Sequence, residues 1–276
     1  MTPIDTAPLF GPLHAELLTL LRALSVEDWQ RPTVAGRWLV RDVAAHLLDG
    51  DLRKIAVYRD GHVPPLDRPI TSAADLLRFI NGVNASGVEF ARRLSPRLIV
   101  DLLEVTGGWV TSLVTSLPLR GRSIFPVSWA GEVESENWMD TGREYSERWH
   151  HQMQIRDAVG APQLLLQPRW MTPLLNIAVC AWPPAYAGVA APPGTAVQFD
   201  VTGDTTGTWS IVAGDSSWEV RAGEGPVAAC VIRTSADTAW RLLFNGLTPE
   251  QISERLNVTG DASLAVPLLR ARAVIV

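Results

Sequence analysis

The chain has 276 residues, 47% of them hydrophobic and 19% charged, with 24 Lys and Arg against 29 Asp and Glu for a formal net charge of -5. That length exceeds the usual single-domain size and favours two domains, each able to bury a core of its own. The composition excludes a disordered or fibrous chain, and the negative charge argues against nucleic acid as a partner.

The opening Met1-Thr2-Pro3-Ile4-Asp5 has neither the basic start nor the apolar run of a signal peptide, which predicts a cytoplasmic protein. Apolar positions between Leu9 and Leu24 recur at three- and four-residue steps, predicting a first helix that Ser25-Val26-Glu27-Asp28-Trp29 interrupts. A second helix is expected over about 39–58, ended by Gly61-His62-Val63-Pro64-Pro65, because consecutive prolines remove donors and restrict the residue before them. A third spans roughly 73–94, stopped by Ser95-Pro96, and another apolar segment runs over 98–117. None of these runs reaches the ~18 consecutive apolar residues of a membrane span, so no membrane association is expected. A fourth bundle helix over about 140–159 ends at Gly160-Ala161-Pro162, a Gly-then-Pro stop.

Residues 162–194 are proline-rich and bracket one predicted short helix at about 173–182, read as a connector. Beyond Gly194 the hydrophobic period switches to two. Strands are expected at 196–201, 208–213, 217–221 and 227–233, with Gly203-Asp204 and Gly214-Asp215 as hairpin turns. Helices follow at 236–244, 249–255 and 262–270. The predicted class is therefore α+β in two domains: a helix bundle over 1–161, the connector over 162–194, and a small α+β domain over 195–276.

Cys180 and Cys230 are too few and too far apart for a disulfide framework or a cysteine metal site, and no histidine follows His151 to act as a base for either. Lys54 is the only lysine among the 24 basic residues, and Ala, Val, Gly and Pro are frequent. GC-rich codons produce that bias, as in an actinobacterial genome.

The sharpest local pattern is Glu147-Arg-Trp-His-His151, a carboxylate and an imidazole one helical turn apart on one face. His150, Gln154 and Ala158 share that side, whereas Tyr145, Trp149 and Met153 form an apolar stripe opposite. On this helix alone the stripe can face the core and leave Glu147, His151 and Gln154 in water. His46 adds a third donor, since it shares the apolar face of Leu39, Val43, Gly50 and Val57 and points into the bundle. Two neutral imidazoles and one carboxylate suit Zn(II) or another first-row divalent ion and leave one coordination position open, the arrangement of a catalytic site. Asp42 and Asp49 flank His46 and can orient its ring or remain solvated. His150 rivals His151, while His14 and His62 have no comparable partner spacing.

The segments Gly36-Arg-Trp-Leu-Val-Arg-Asp-Val-Ala-Ala-His46-Leu47 and Glu147-Arg-Trp-His-His151, followed by Gly160, resemble the DinB-like mycothiol-dependent maleylpyruvate isomerase family. In that family a Trp-rich turn enters a helix bearing one histidine ligand, and a later helix carries Glu and His four residues apart with Gly nine beyond. The Gly160 spacing favours His151 over His150. Thr234-Ser-Ala-Asp-Thr-Ala-Trp-Arg-Leu-Leu-Phe244 and Val258-Thr-Gly-Asp-Ala-Ser-Leu-Ala265 look like the sterol-carrier-like domain that closes many members. Gln154 departs from the pattern, because many relatives have an acidic residue there.

The resemblance implies a divalent metal, most simply Zn(II), on His46, Glu147 and His151, and a low-molecular-weight thiol such as mycothiol as cofactor. The metal would acidify the thiol, which adds to an activated double bond or displaces a leaving group; bond rotation and thiol departure then give an isomer. The expected function is an isomerase or S-transferase acting on a small, unsaturated, carboxylate-bearing substrate. Arg241 and Arg156 are the candidates to anchor that carboxylate. Two alternatives stay open: a metal-dependent hydrolase or lyase using ion-bound water, and a non-catalytic small-molecule binding protein. The chain can act as a monomer or a homodimer.

Overall fold

In the computed structural model, which describes residues 2–66, 68–223, 225–245 and 247–274, the amphipathic segments become α1 (Phe10–Ala23), α2 (Val40–Tyr58), α3 (Ala73–Ala91) and α4 (Pro96–Ser116). Local chemistry fixes their starts. The Ser72 and Ser95 hydroxyls accept from the backbone N–H of Asp75 and Leu98, and Pro96 occupies the first turn, where no N–H is needed. The Asp42 carboxylate accepts from the Leu39 N–H and so caps α2. Leu17 and Leu21 of α1, Val43 and Leu47 of α2, and Ile99 and Leu103 of α4 close one core, to which Ile155 also contributes.

By length and composition α4 is apolar enough to cross a membrane, with a mean hydropathy of 1.4. That corrects the expectation that no segment reaches this level. The cause is that averaging tolerates Asp101 and Glu104, together with Thr106, Gly107 and Gly108, which break every consecutive apolar run. The helix is amphipathic in space, since Ile99, Leu103, Val110 and Val114 are buried while Leu98, Leu102, Val105 and Trp109 are exposed.

Gly107 serves a close approach. A Cβ there would lie 2.2 Å from the His14 ring of α1, so only glycine lets the imidazole rest on the α4 backbone. His14 is buried, with the Leu103 backbone beside its ring. Burial first, and the Arg148 charge second, push its pKa down from 6.5 to about 4. A histidine with a depressed folded pKa takes up its proton first in the unfolded chain, so stability falls as pH drops from 6.5 towards 4. His14→Leu is expected to abolish up to about 3 kcal/mol of that acid loss. Urea unfolding at pH 7 and pH 4 reads it; equal losses in wild type and variant would refute it.

Contacts divide the chain into two units. One holds Asp5–Ile124 and Glu147–Pro162; the other holds Met1–Ile4, Phe125–Ser146 and Gln163–Val276. The expected 1–161 and 195–276 domains with a connector at 162–194 differ from this partition in two respects. Helix α5 (Asn137–Ala158) is shared, because Trp138 and Met139 cluster with Val127, Ile177 and Cys180, whereas Ile155 joins the α1, α2 and α4 core. The 162–194 segment carries two helices rather than one, α6 (Pro168–Ala178) and α7 (Trp182–Tyr186). Pro173 does not delay α6, since this early in the helix it forfeits only the bond to the Arg169 carbonyl.

The second unit also contains a five-stranded sheet of order β3-β2-β1-β4-β5. Strands β1 (Ala196–Thr202), β2 (Gly207–Ala213) and β3 (Trp218–Ala222) form antiparallel hairpins around the expected turns. Strand β4 (Ala228–Ser235) returns parallel to β1. Helices α8 (Ala236–Trp240) and α9 (Pro249–Arg255) follow, then β5 (Asn257–Gly260) and α10 (Ala265–Arg270). The expected helix over 236–244 gives way after Trp240 to a wider turn at Arg241–Asn245, of the π type that recurs at functional sites. Strand β5, antiparallel to β4, had no sequence signal: Asn257-Val-Thr-Gly260 is short, polar and mostly exposed.

Candidate metal centre

Helix α5 combines a polar sequence with burial, and none of its residues from Asn137 to Ala158 is exposed. A buried polar side chain needs a partner, so each one has to be accounted for. Arg143 pairs with Asp140, the Ser146 hydroxyl donates to the Gly142 carbonyl, and Arg148 pairs with Asp51 of α2. Tyr145, Trp149 and Met153 are fully buried, as the apolar stripe requires. The opposite face is buried as well, so the solvated alternative for His151 and Gln154 does not hold; they are 9% and 2% exposed.

On that face His46, Glu147 and His151 each offer a ligand atom, and the three atoms lie within 4.8 Å of one another. The His46 and His151 rings meet edge to face at 4.4 Å, and Trp38 packs on the other side of His46 at 5.0 Å. His151 Nε2 faces Glu147 Oε2 at 3.2 Å. Glu147 is the least enclosed member, with 31% of its side chain exposed, which gives the site an opening.

Two observations show that the cluster fits a cation. His46 Nδ1 is buried with no hydrogen-bond partner, although an imidazole nitrogen in a protein interior ordinarily has one. His151 Nδ1 is engaged by Gln154 Oε1 at 2.9 Å, an acceptor that claims the ring proton. With Nε2 facing the Glu147 carboxylate at 3.2 Å, the ring lies between two acceptors and either carries a second proton or holds a metal ion on Nε2.

Charge states agree. Burial first, and the charge of His151 second, push the His46 pKa well below its ordinary value. Burial does the same to His150, down to about 3. Burial alone would raise the Glu147 carboxyl, but the hydrogen bond and charge of His151, with His150 and His46 behind them, hold it at about 2. An ionised Glu147 and a neutral His46 belong to the donor state a divalent ion requires.

The other sequence candidates fall elsewhere. His150 is not in the cluster; its Nε2 is bound by the Gln154 amide at 2.9 Å. Asp42 caps α2 and pairs with Arg92, and Asp49 pairs with Arg53, so the carboxylates flanking His46 are committed away from it. Arg156 lies nine residues after Glu147, half a turn out of phase around α5, and its guanidinium donates to the Glu16 carbonyl with the Glu16 carboxylate 3.8 Å away. Arg241 is bound by Asp237 and stacks on Trp240. Both cysteines are buried and outside any disulfide, and burial pushes the Cys180 thiol up to about 12.

Sequence reasoning missed Asp51 and Arg148. The signal was present on α2, where Asp51 interrupts a stripe of Ala44, Leu47, Leu48 and Ile55, a charge set among apolar residues at helical spacing.

Comparison with known proteins gives a consistent picture. A family model described as the mycothiol maleylpyruvate isomerase N-terminal domain matches residues 10–156. The crystal structure of the mycothiol-dependent maleylpyruvate isomerase superposes with a TM-score of 0.51 at 11% identity, covering 92% of this chain and 91% of that one. A histidine-to-alanine mutant of that isomerase gives a TM-score of 0.49 at 11% identity, with the same coverage. At such identity the likeness speaks for the fold alone. No curated protein matches the sequence.

Proposed function

The chain belongs to the mycothiol maleylpyruvate isomerase family through the domain matched at residues 10–156, and from that premise we propose that it is a metal- and thiol-dependent isomerase or S-transferase. Its substrate would be small, unsaturated and carboxylate-bearing, and its thiol mycothiol or a similar low-molecular-weight compound. The observation that carries the metal half is the convergence of His46, Glu147 and His151, with one buried His46 nitrogen otherwise unpartnered. A divalent ion held there, Zn(II) by the donor set, would supply the positive charge that acidifies a bound thiol near neutral pH.

The protein's own residues support an external sulfur. Cys180 and Cys230 are buried, and burial raises both thiols, so neither is a ready nucleophile. His46 and His151 would contribute ring nitrogens, Glu147 would contribute the anion, and its partial exposure leaves access to the open position. Trp38 against His46 keeps one side of the site apolar. Arg241 stands as the anchor for a substrate carboxylate, at the start of its π-type turn; Arg156, turned to Glu16, is the weaker choice.

The test is turnover of maleylpyruvate, the compound named for the related isomerase, with thiol and metal added separately and together. Isomer is expected only when mycothiol and Zn(II) are both present. Turnover without thiol would refute the thiol role and favour ion-bound water as the reacting group.

A further inference from the structure

The rivalry between His150 and His151 is resolved by one side chain. Gln154 is 2% exposed and touches both rings: its Oε1 lies 2.9 Å from His151 Nδ1, and its Nε2 lies 2.9 Å from His150 Nε2. The ring centroids of the two histidines are 5.1 Å apart, close enough for either imidazole to compete for one ion. An amide has one accepting and one donating end, so a glutamine between two histidines assigns them opposite roles.

The assignment matters because Glu147 works against it. With its oxygen 3.2 Å from His151 Nε2, the carboxylate favours a proton on that nitrogen, and a protonated Nε2 cannot bind metal. With an ion on Nε2 the ring proton has to sit on Nδ1, and there Gln154 Oε1 is placed to accept it. The amide N–H of the same group donates to His150 Nε2 and so occupies the lone pair with which His150 would compete. At 2% exposure no bulk water substitutes for either bond.

We propose that Gln154 is a positioning residue that selects the Nδ1–H tautomer of His151, making Nε2 its ligand atom, and withholds His150 from the ion. The inference rests on the metal reading above, and it adds a consequence for reactivity. A carboxylate in this position would make the imidazole more basic and quench more of the ion's charge, whereas a neutral amide fixes the same tautomer without doing so. The centre is thereby left a stronger acid towards whatever takes its open position.

Two readouts test this without relying on turnover. Long-range proton–nitrogen NMR on the Zn(II)-loaded protein reports which His151 nitrogen keeps its proton, and chelator competition with Zn(II) reports affinity. Wild type and Gln154→Glu, which keeps the acceptor, are expected to show the Nδ1–H form and to bind Zn(II) within about tenfold of each other. Gln154→Leu is expected to leave the His151 Nδ1–H without this acceptor and to weaken Zn(II) about 10- to 100-fold. An Nε2–H tautomer in wild type, unchanged affinity in Gln154→Leu, or equal losses in both variants would overturn the proposal. A wild type with no Zn(II) affinity would instead overturn the metal reading, and the ligand-selecting role with it.

Discussion

Replacing His46, Glu147 or His151 singly with alanine is expected to empty the centre: each variant, purified and dialysed beside wild type, should lose its bound divalent metal. The expectation follows from the number of donors. Three protein ligands lie within 4.8 Å of one another, and no other cluster of three or more His, Cys, Asp or Glu ligands is found among the described residues. Removing even a group that orients a ligand typically weakens a metal site 10- to 100-fold, so loss of a ligand itself should exceed about a hundredfold. A second measurement separates an empty site from a misfolded chain. Metal at 100 times its Kd stabilises the folded state by about 2.7 kcal/mol, so adding Zn(II) should raise the unfolding midpoint of wild type and not of the variants. His46→Ala removes a ring whose Nδ1 satisfies nothing in the metal-free protein, so its metal-free midpoint should fall least. Full metal occupancy in all three variants would eliminate the centre.

How much of this was legible in the sequence depends on the range of the interaction. The pair Glu147 and His151 was readable because helical geometry converts a spacing of four into adjacency, whatever the rest of the chain does. His46 was readable because an imidazole on the apolar side of a helix stands out. The hairpins at Gly203 and Gly214 were readable from turn chemistry. What escaped depends on partners distant in sequence. Strand β5 has no apolar pattern of its own and exists by pairing with β4. The even burial of α5 contradicts its polar composition, because its partners come from separate parts of the chain: Asp51 for Arg148 and Glu16 for Arg156. Gln154 was visible as a departure from its relatives, but its two-sided contact with His150 and His151 required coordinates.

The Asp51–Arg148 pair carries the largest expected effect on stability. Asp51 is 1% exposed and Arg148 8%. Asp51 accepts from Arg148 through one carboxylate oxygen and from the Thr106 hydroxyl through the other, at 2.8 Å. The three residues therefore tie α2, α5 and α4 together in the core. Asp51→Leu removes the carboxylate that pairs with the buried Arg148 guanidinium, and breaking a buried pair from one side costs about 3 to 5 kcal/mol. Arg148→Met removes the guanidinium from the same pair and is expected to cost as much. The double variant removes both charges and their desolvation together, so it should recover most of that loss, to within about 1 kcal/mol of wild type. Urea unfolding of the four proteins reads the coupling; additive losses would mean that the two side chains do not act as a pair. The same set addresses the metal centre. Asp51 follows His46 by five residues on α2, and Arg148 lies between Glu147 and His151 on α5, so the pair fixes the helices that carry the ligands. A double variant that regains stability yet binds Zn(II) more weakly than wild type is the expected result. Unchanged affinity in that variant would show that apolar packing alone sets the ligand spacing.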